Sequence, residues 1–307
     1  MTRSPTVILN DDQIRSFRAN GYLALGAIST VEEVALLRGV LDRLLNTRAG
    51  YHEGAQFDLM SRDGVDMPPR LPQIMNPGNY AREMRDTLFH VNALAIAKQL
   101  LGKEAEPFFE HAILKPAHNG AATPWHQDEA YRRDPNFDYQ ELSIWMPLQD
   151  ATVENGCMQF IPGTNRGEVL AHRSANDDPK LHAFECCGEF NSADAVICPL
   201  PAGGCTIHDG RTLHYAGPNR SAAERWAYIL TFDLPPRARI DKREFPWNNK
   251  NQAADLSRKC AWRRRGGVIV ELWRTLRRGV LRNPRRLSYL MRRSWRALVT
   301  DPAGDDH

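Results

Sequence analysis

The sequence predicts a mainly β protein with flanking helices, in which the strands form an antiparallel sandwich or barrel. Residues 107–234 contain short runs rich in β-branched and aromatic residues, and Gly, Pro, Asn and Asp separate these runs. Helical periodicity occurs before and after this region but not between its strands, which argues against a parallel α/β sheet. The chain contains no GxGxxG, P-loop or GxSxG motif, so a nucleotide-binding fold or a serine hydrolase has little support.

Helices and one strand are predicted ahead of this region. Residues 30–45 place apolar side chains three and four positions apart, and Ser29 or Thr30 together with Glu33 is typical of a helix start. Residues 11–19 and about 83–101 have the same periodicity. Residues 21–26, between the first two helices, have the pattern of a short strand.

The predicted β core spans about residues 105–235. Its candidate strands are residues 108–115, 140–148, 158–161, 193–198, 204–208 and 226–233. Asn155-Gly156 is predicted to form a hairpin turn, because Asn and Gly tolerate the positive φ angles that a tight turn requires.

Length and composition are those of a folded, water-soluble protein of one large or two ordinary domains. The 307 residues are 42% hydrophobic and 25% charged. No apolar run approaches the roughly 20 residues of a spanning helix, and the first ten residues lack the pattern of a secretory leader. We therefore expect a cytoplasmic location. The six cysteines contain no CxxC pair, so reduced thiols are expected.

The charges divide the chain into two parts. Residues 1–236 contain 21 Lys plus Arg and 30 Asp plus Glu, whereas residues 237–307 contain 19 and 7. This split predicts an ordinary folded domain over residues 1–236 and a basic, largely helical C-terminal extension over residues 237–307. Within the extension, residues 268–281 and 285–299 repeat apolar side chains at helical spacing among arginine pairs.

Three interpretations of the basic extension stay open. Its helices could dock on the domain and turn a basic face to solvent. They could lie on an anionic lipid surface, since Trp and Leu opposite Arg suit the headgroup boundary, which would place the protein at the periphery of a membrane. They could also bind an acidic carrier protein, another subunit or nucleic acid, although no specific nucleic acid is expected.

The segment Trp125-His126-Gln127-Asp128 predicts part of a metal site. Residues two apart on an extended segment project to the same side, so the His126 imidazole and the Asp128 carboxylate can meet at one point. A histidine from a distant strand would complete a site of two His and one carboxylate. Such a site suits Fe(II) oxygenases because it leaves coordination positions for a cosubstrate and O2.

His214 and Arg225 strengthen this interpretation. His214 lies near a predicted strand end, and Arg225 opens the next strand eleven residues later. Neighbouring strands of a barrel can place both side chains in one cavity, where the guanidinium could bind the distal carboxylate of a 2-keto diacid. His208 is a rival for the third ligand position, but it precedes the Asp209-Gly210 turn and lies farther from Arg225 in sequence. His111 is interpreted as a core histidine, with a cavity-facing role as the alternative.

Together these motifs resemble the phytanoyl-CoA dioxygenase family of non-haem Fe(II)- and 2-oxoglutarate-dependent oxygenases. The resemblance covers about residues 8–235. The matching residues are Asn20-Gly-Tyr-Leu-Ala-Leu25, His126-Gln-Asp128, Trp145, Asn155-Gly-Cys157, Pro162-Gly-Thr164, the run from His214 to Asn219, and Arg225. The resemblance implies a double-stranded β-helix (jelly-roll, cupin-like) core with helices packed outside it. Asn165 departs from the family, in which His is common after the Pro-Gly-Ser/Thr turn.

The resemblance also implies roles for individual residues. His126, Asp128 and His214 would be the catalytic iron ligands, Arg225 would bind the terminal carboxylate of 2-oxoglutarate, and Trp145 would form a wall of the cosubstrate pocket. The implied cofactor is Fe(II), and the implied cosubstrates are 2-oxoglutarate and O2. Halogenating members of the wider class replace the carboxylate ligand with a small residue, so Asp128 favours hydroxylation or another oxidation.

The implied reaction oxidises a small molecule, a lipid or an acyl thioester and releases succinate and CO2. Two alternatives stay open. A cupin-like metalloenzyme would not use 2-oxoglutarate and would release no succinate. A degenerate oxygenase scaffold would bind a membrane or a partner through the basic extension, although the intact His, Asp and Arg225 set argues against degeneration.

Overall fold

The computed structural model describes residues 3–62, 68–132, 134, 136–249, 258–259 and 261–277. The helix predicted over residues 285–299 lies outside these ranges.

In the described residues, three α-helices precede the β core, and each begins at a capping side chain. They are α1, Asp11–Asn20; α2, Val31–Asn46; and α3, Leu88–Leu101. Asn10, Thr30 and Thr87 each accept a hydrogen bond from the backbone N–H three residues on, which satisfies one of the free donors of the first turn. Of the two candidates for the start of α2, Thr30 with Glu33 is therefore confirmed. The helix predicted over residues 83–101 was placed too early, because Thr87 caps α3 and Arg82–Arg85 form a separate 3-10 helix.

The described residues also form strands of two to ten residues. In chain order they are β1 Tyr22–Leu25, β2 Gln56–Asp58, β3 Pro72–Met75, β4 Glu106–Lys115, β5 Thr123–His126, β6 Phe137–Asp138, β7 Glu141–Pro147, β8 Met158–Phe160, β9 His172–Ser174, β10 Phe184–Cys186, β11 Val196–Cys198, β12 Cys205–Asp209, β13 His214–Ala216, β14 Arg225–Asp233 and β15 Arg237–Ala238. The predicted strand over residues 193–198 is shorter than expected, since a 3-10 helix, Ser192–Asp194, occupies its first half.

The described strands form two main antiparallel sheets. The larger has the order β1-β12-β7-β14-β4-β3-β2, and the smaller has the order β11-β8-β13-β5. Trp145 and Ile229 of the large sheet pack in one apolar cluster with Met158, Phe160 and Ala216 of the small sheet. The sheets therefore lie face to face, which confirms the mainly β class and the double-stranded β-helix core.

Strand β7 shows why the helices lie outside the two sheets. All of its residues are buried, and alternate side chains project to opposite faces of a strand. Leu142, Ile144 and Met146 pack in the cluster that includes the apolar residues of α2 and α3. Trp145 packs between the sheets, and Ser143 faces Asp128 there. The inner face of β7 is therefore available for a site.

The predicted turn at Asn155-Gly156 forms, but it is not a hairpin. It lies between β7 and β8, which belong to different sheets. Gly156 has a φ of +86°, and a Cβ there would lie 2.1 Å from the carbonyl oxygen of Gly217. The close approach of two backbones, as well as the positive φ, therefore requires glycine.

The segment that follows β14 packs back on the domain. β15 pairs with β6, Trp247 Nε1 donates to Ala130 O at 3.0 Å, and Arg243 forms an ion pair with Glu129. Farther along, the described part of the helix predicted over residues 268–281 forms α4, Val268–Arg277. None of the helices in the described ranges combines the length and the apolar character that crossing a membrane requires.

The cysteines in the described ranges are free thiols. They are Cys157, Cys186, Cys187, Cys198 and Cys205.

Candidate metal centre

Strands β5 and β13 place two histidines directly opposite each other. His126 ends β5 and pairs in register with His214, which begins β13, and their ring centroids are 4.1 Å apart. Asp128 follows β5 at the start of a 3-10 helix, Asp128–Tyr131. Its Oδ1 lies 3.7 Å from His126 Nε2 and 3.6 Å from His214 Nε2. One ligand atom from each residue lies within 4.8 Å of the other two, so the fold brings the three predicted ligands together.

Backbone carbonyls determine which nitrogen of each histidine faces this point. His126 Nδ1 lies 2.8 Å from Pro124 O, and His214 Nδ1 lies 2.8 Å from Thr212 O. Because a carbonyl only accepts hydrogen bonds, we assign the hydrogen to Nδ1 in both rings, which leaves the Nε2 lone pairs directed at Asp128. Burial lowers the pKa of His126 and holds that of His214 well below its usual value. Neutral imidazoles are the form that binds a metal.

The two oxygens of Asp128 have different neighbours. Oδ1 faces the two histidines, whereas Oδ2 accepts a hydrogen bond from Ser143 Oγ at 2.8 Å and lies 3.2 Å from His208 Nε2. Burial would raise the pKa of this carboxyl, but His214 and the other nearby histidines hold it well below its usual value. Asp128 is therefore an ionised carboxylate near neutral pH.

Gln127 points away from this centre and fixes the segment between two of the predicted ligands. Its side chain accepts a hydrogen bond from Leu170 N at 2.7 Å and donates one to Arg211 O at 2.6 Å. Its backbone N–H donates to His172 Nε2 at 3.2 Å. These bonds connect the His126–Asp128 segment to the loops that lead into β9 and β13. The positions of the His126 and Asp128 side chains therefore depend on both loops.

Arg225 lies in the same cavity and is only 1% exposed. Its Nε donates to Asn155 O at 3.4 Å, and its guanidinium carbon lies 5.3 Å from the centre of the Trp145 ring. Neither terminal nitrogen, Nη1 or Nη2, has a hydrogen-bond partner among the described residues. Burial lowers the pKa of Arg225 to about 9, so the guanidinium is charged at neutral pH. A buried charged donor with two open nitrogens fits an anionic ligand.

A cavity of about 50 Å³ between the two sheets connects these groups. Its wall includes the three predicted ligands, Trp145 and Arg225, and also His111 and His208. Burial lowers the pKa of His111 to about 4, so this ring is neutral. His208 contacts Asp128 Oδ2 and stands on the large sheet, opposite the strands that hold His126 and His214. Both histidines that the sequence left undecided therefore face the cavity.

Sequence reasoning missed Lys115, which is fully buried. Its Nζ donates to the carbonyl oxygens of Ala121 and Ala216 and lies 3.5 Å from Thr123 Oγ1. These acceptors belong to β5, to β13 and to the turn before β5. The sequence shows only a lysine at the end of an apolar strand, a position at which lysine is ordinarily exposed.

Asn165, the residue that departs from the family pattern, lies away from the cavity. Its Nδ2 donates to Arg18 O at 3.2 Å near the end of α1. The difference from the family at Asn165 therefore affects the packing of its loop against α1.

The chain is similar to a known protein family and to a solved structure. The phytanoyl-CoA dioxygenase (PhyH) family model matches residues 17–227. The crystal structure of EvdO2 from Micromonospora carbonacea var. aurantiaca complexed with 2-oxoglutarate is similar with a TM-score of 0.66. It is 37% identical, and the match covers 80% of this chain and 99% of that one.

Two curated relatives resemble the chain more distantly. The "Probable alpha-ketoglutarate-dependent hypophosphite dioxygenase" of Stutzerimonas stutzeri is 27% identical over 225 residues, which cover 72% of this chain and 77% of the relative. "Phytanoyl-CoA dioxygenase 1" of Oryza sativa subsp. japonica is 25% identical over 278 residues, which cover 80% of this chain and 94% of the relative.

Proposed function

The chain belongs to the phytanoyl-CoA dioxygenase family, and from this premise we propose how its own residues perform the reaction. It is an Fe(II)- and 2-oxoglutarate-dependent oxygenase that acts on a small molecule. One observation supports the assignment of the site above all. Two Nε2 atoms and one carboxylate oxygen converge on a cavity in which both terminal nitrogens of buried Arg225 lack a partner among the described residues.

We assign His126, Asp128 and His214 as the iron ligands. Two neutral imidazoles and one carboxylate are the donor set of non-haem Fe(II) oxygenases, and this set leaves positions for a cosubstrate and O2. The carbonyls of Pro124 and Thr212 hold the two rings in the required tautomer. When bound here, iron would supply the activation of O2 and the oxidation that follows.

We assign Arg225 as the group that binds the distal carboxylate of 2-oxoglutarate. A guanidinium can donate two parallel hydrogen bonds to a carboxylate, and Nη1 and Nη2 have no other partner among the described side chains and backbone. Trp145 covers one side of Arg225 and restricts the bound cosubstrate to the space between the sheets. Arg225 would thereby orient the 2-keto end toward the metal ligands.

In the proposed reaction, 2-oxoglutarate loses CO2 and becomes succinate, which takes up one oxygen atom of O2. The other oxygen atom enters a C–H bond of the substrate as a hydroxyl group. Hydroxylation, or another oxidation of the same electron count, is favoured because Asp128 supplies the carboxylate that halogenating enzymes lack. We propose that the substrate is a small metabolite, a lipid or an acyl thioester.

Succinate formation tests this function. Purified protein supplied with Fe(II), 2-oxoglutarate and O2 should form succinate. Asp128→Ala should reduce the rate by about 100-fold or more, because losing a hydrogen-bond partner of a metal ligand already costs about 10- to 100-fold and Asp128 is a proposed ligand itself. A cupin-like enzyme that does not use 2-oxoglutarate would form no succinate. A degenerate scaffold would bind no Fe(II) in an equilibrium dialysis measurement.

We propose that residues 1–236 form the dioxygenase domain and residues 237–307 a basic extension. Helix α4 supports a membrane role for the extension. Arg274 on its charged side pairs with Glu53 at 2.7 Å, whereas Ile269, Leu272 and Trp273 are 73%, 56% and 52% exposed. The charged side thus contacts the domain and apolar side chains face outward. Apolar side chains next to a surplus of arginine suit an anionic lipid surface.

Binding to lipid vesicles tests the membrane role. The full-length protein should bind phosphatidylserine vesicles in low salt, bind less in high salt, and ignore neutral phosphatidylcholine vesicles. Leu272→Ser combined with Trp273→Ser should weaken binding without changing succinate formation. If the full-length protein ignores anionic vesicles in low salt, the exposed side chains of α4 serve a protein partner or a second copy, and the membrane role is wrong.

A further inference from the structure

Three polar side chains form a row across the inner face of the large sheet, opposite Asp128. His208 on β12 pairs in register with Ser143 on β7, and Ser143 pairs in register with Thr231 on β14. All three side chains are buried, with exposed fractions of 2%, 2% and 6%. A buried polar row in an apolar sheet is costly unless its hydrogen bonds are made.

The hydrogen bonds of this row end on one oxygen of Asp128. Ser143 Oγ lies 2.8 Å from Asp128 Oδ2 and 3.1 Å from Thr231 Oγ1. An ionised carboxylate only accepts, so the Ser143 hydroxyl donates to Asp128 and accepts from the Thr231 hydroxyl. His208 Nε2 lies 3.2 Å from the same Oδ2, and it must carry its hydrogen to donate there. The remaining ring nitrogen, Nδ1, has no hydrogen-bond partner among the described residues, so the contact of the ring with Asp128 is made through Nε2.

We propose that His208 and Ser143 are positioning residues that present only one oxygen of Asp128 to the metal. Two donors hold Oδ2 toward the large sheet, and Oδ1 is left 3.7 Å and 3.6 Å from the Nε2 atoms of His126 and His214. The proposal rests on the assignment of those three residues as metal ligands. Without the two donors, Asp128 would be free to rotate and bind through both oxygens, which would take a position that 2-oxoglutarate needs.

This role differs from the ligand role that the sequence left open for His208. A ligand would direct Nε2 at the metal, whereas the Nε2 of His208 is directed at Asp128 Oδ2. Its ring centroid lies 4.2 Å from that of His214, so the ring packs beside a ligand and supports it. Hydrogen-bond partners of ligands commonly contribute 10- to 100-fold to metal affinity.

Anaerobic titration with Co(II), followed by calorimetry and by the visible spectrum of the bound ion, tests the proposal. Ser143→Ala and His208→Leu each remove one donor to Oδ2. Ser143→Thr keeps the hydroxyl, and His208→Gln keeps an N–H at the same reach. Thr206→Val is the matched control, because Thr206 is a buried residue of β12 whose hydroxyl has no hydrogen-bond partner in the described structure.

We expect Ser143→Ala and His208→Leu to weaken Co(II) binding about 10- to 100-fold and to change the visible spectrum. Ser143→Thr and His208→Gln should restore both properties, and Thr206→Val should match the wild type. Thermal unfolding of each variant checks that it is folded. A spectrum and an affinity that stay at the wild-type values in both donor-deleted variants overturn the proposal.

Three further outcomes separate this proposal from the function. Complete loss of Co(II) binding in His208→Leu, equal to that in His126→Ala, would make His208 a ligand and would also overturn the positioning role. If the wild-type protein binds Co(II) and forms succinate while the donor-deleted variants behave normally, the positioning role alone fails. If the wild type binds no metal, the assignment of the three ligands is wrong, and the positioning role that rests on it is wrong as well.

Discussion

Lys115 and Arg225 lie directly opposite each other on the paired strands β4 and β14, and both side chains are buried. Burial, and then the charge of Arg225, hold the pKa of Lys115 well below its usual value. The two residues nevertheless differ in their bonding. Lys115 donates to protein carbonyls, whereas the terminal nitrogens of Arg225 have no partner in the described part of the chain. This difference fits a structural role for Lys115 and the ligand-binding role that we propose for Arg225.

Arg225→Lys should raise the KM for 2-oxoglutarate about tenfold or more, because an ammonium keeps the charge but loses the two-pronged hydrogen bond. Fe(II) affinity should stay unchanged. The measurement is succinate formation against 2-oxoglutarate concentration, with Arg220→Lys, an exposed arginine of the preceding loop, as the control. An unchanged KM in Arg225→Lys would remove the basis for the anchor role.

Lys115→Met should lower the free energy of unfolding by about 1 to 3 kcal/mol, because the carbonyls of Ala121 and Ala216 lose a buried donor. Chemical denaturation of the wild type and the variant measures the change. Lys180→Met, at an exposed lysine, should leave stability within experimental error. If Lys115→Met is as stable as the wild type, the lysine does not hold the strands of the two histidines in place.

Most of the fold and the main site residues follow from local sequence pattern. The helix start at Thr30 with Glu33 and the helical spacing of the apolar residues of α2 are signals that neighbouring residues provide. His126, Asp128, His214 and Arg225 could be selected because their residue types and order match one chemistry and one family.

Sequence reasoning missed residues whose role depends on how the strands pair. Ser143 and Thr231 are ordinary strand residues until pairing places both beside Asp128. The strands of two to four residues, such as β9 and β13, are too short for a period-2 pattern, and partners distant in sequence determine them. The sequence alone suggests that Lys115 is a surface lysine, because the hydrogen-bond acceptors of its Nζ lie on other segments of the chain.

Acidification should lower the stability of the folded protein through the protonation of His172. Burial lowers its pKa to about 4, and its neutral Nε2 accepts the Gln127 N–H bond. The unfolded chain has the usual value of about 6.5, so it binds more protons than the folded protein between pH 6.5 and 4. The stability contributed by neutral His172 is therefore complete above pH 6.5 and is lost as the pH falls toward 4.

This pH dependence can be measured by urea denaturation of the metal-free protein between pH 7 and 4. The stability of the wild type relative to His172→Gln should fall with acidification by up to about 3 kcal/mol. His118→Gln, at an exposed histidine, should show no such change relative to the wild type. A stability difference between wild type and His172→Gln that is independent of pH would show that His172 does not titrate as described.

Deletion of residues 255–307 should leave 2-oxoglutarate turnover largely intact and abolish vesicle binding, because the proposed site lies between Lys115 and Arg225. Deletion from residue 237 should reduce turnover and stability, since Trp247 and Asn248 bond to Ala130 O two residues after Asp128. Succinate formation and circular dichroism of the two truncations provide the comparison. Unfolding of the shorter deletion would instead identify residues 255–307 as a structural cap.

The most direct test of the central claim is an anaerobic titration of Fe(II) and 2-oxoglutarate, followed by the visible absorption that 2-oxoglutarate produces when it chelates Fe(II). The wild type should bind one iron per chain and show this absorption. His126→Ala, Asp128→Ala and His214→Ala should each abolish it, and His208→Gln should retain it. Retained absorption in His214→Ala together with its loss in His208→Gln would contradict the assignment of the third ligand and the account of the site built on it.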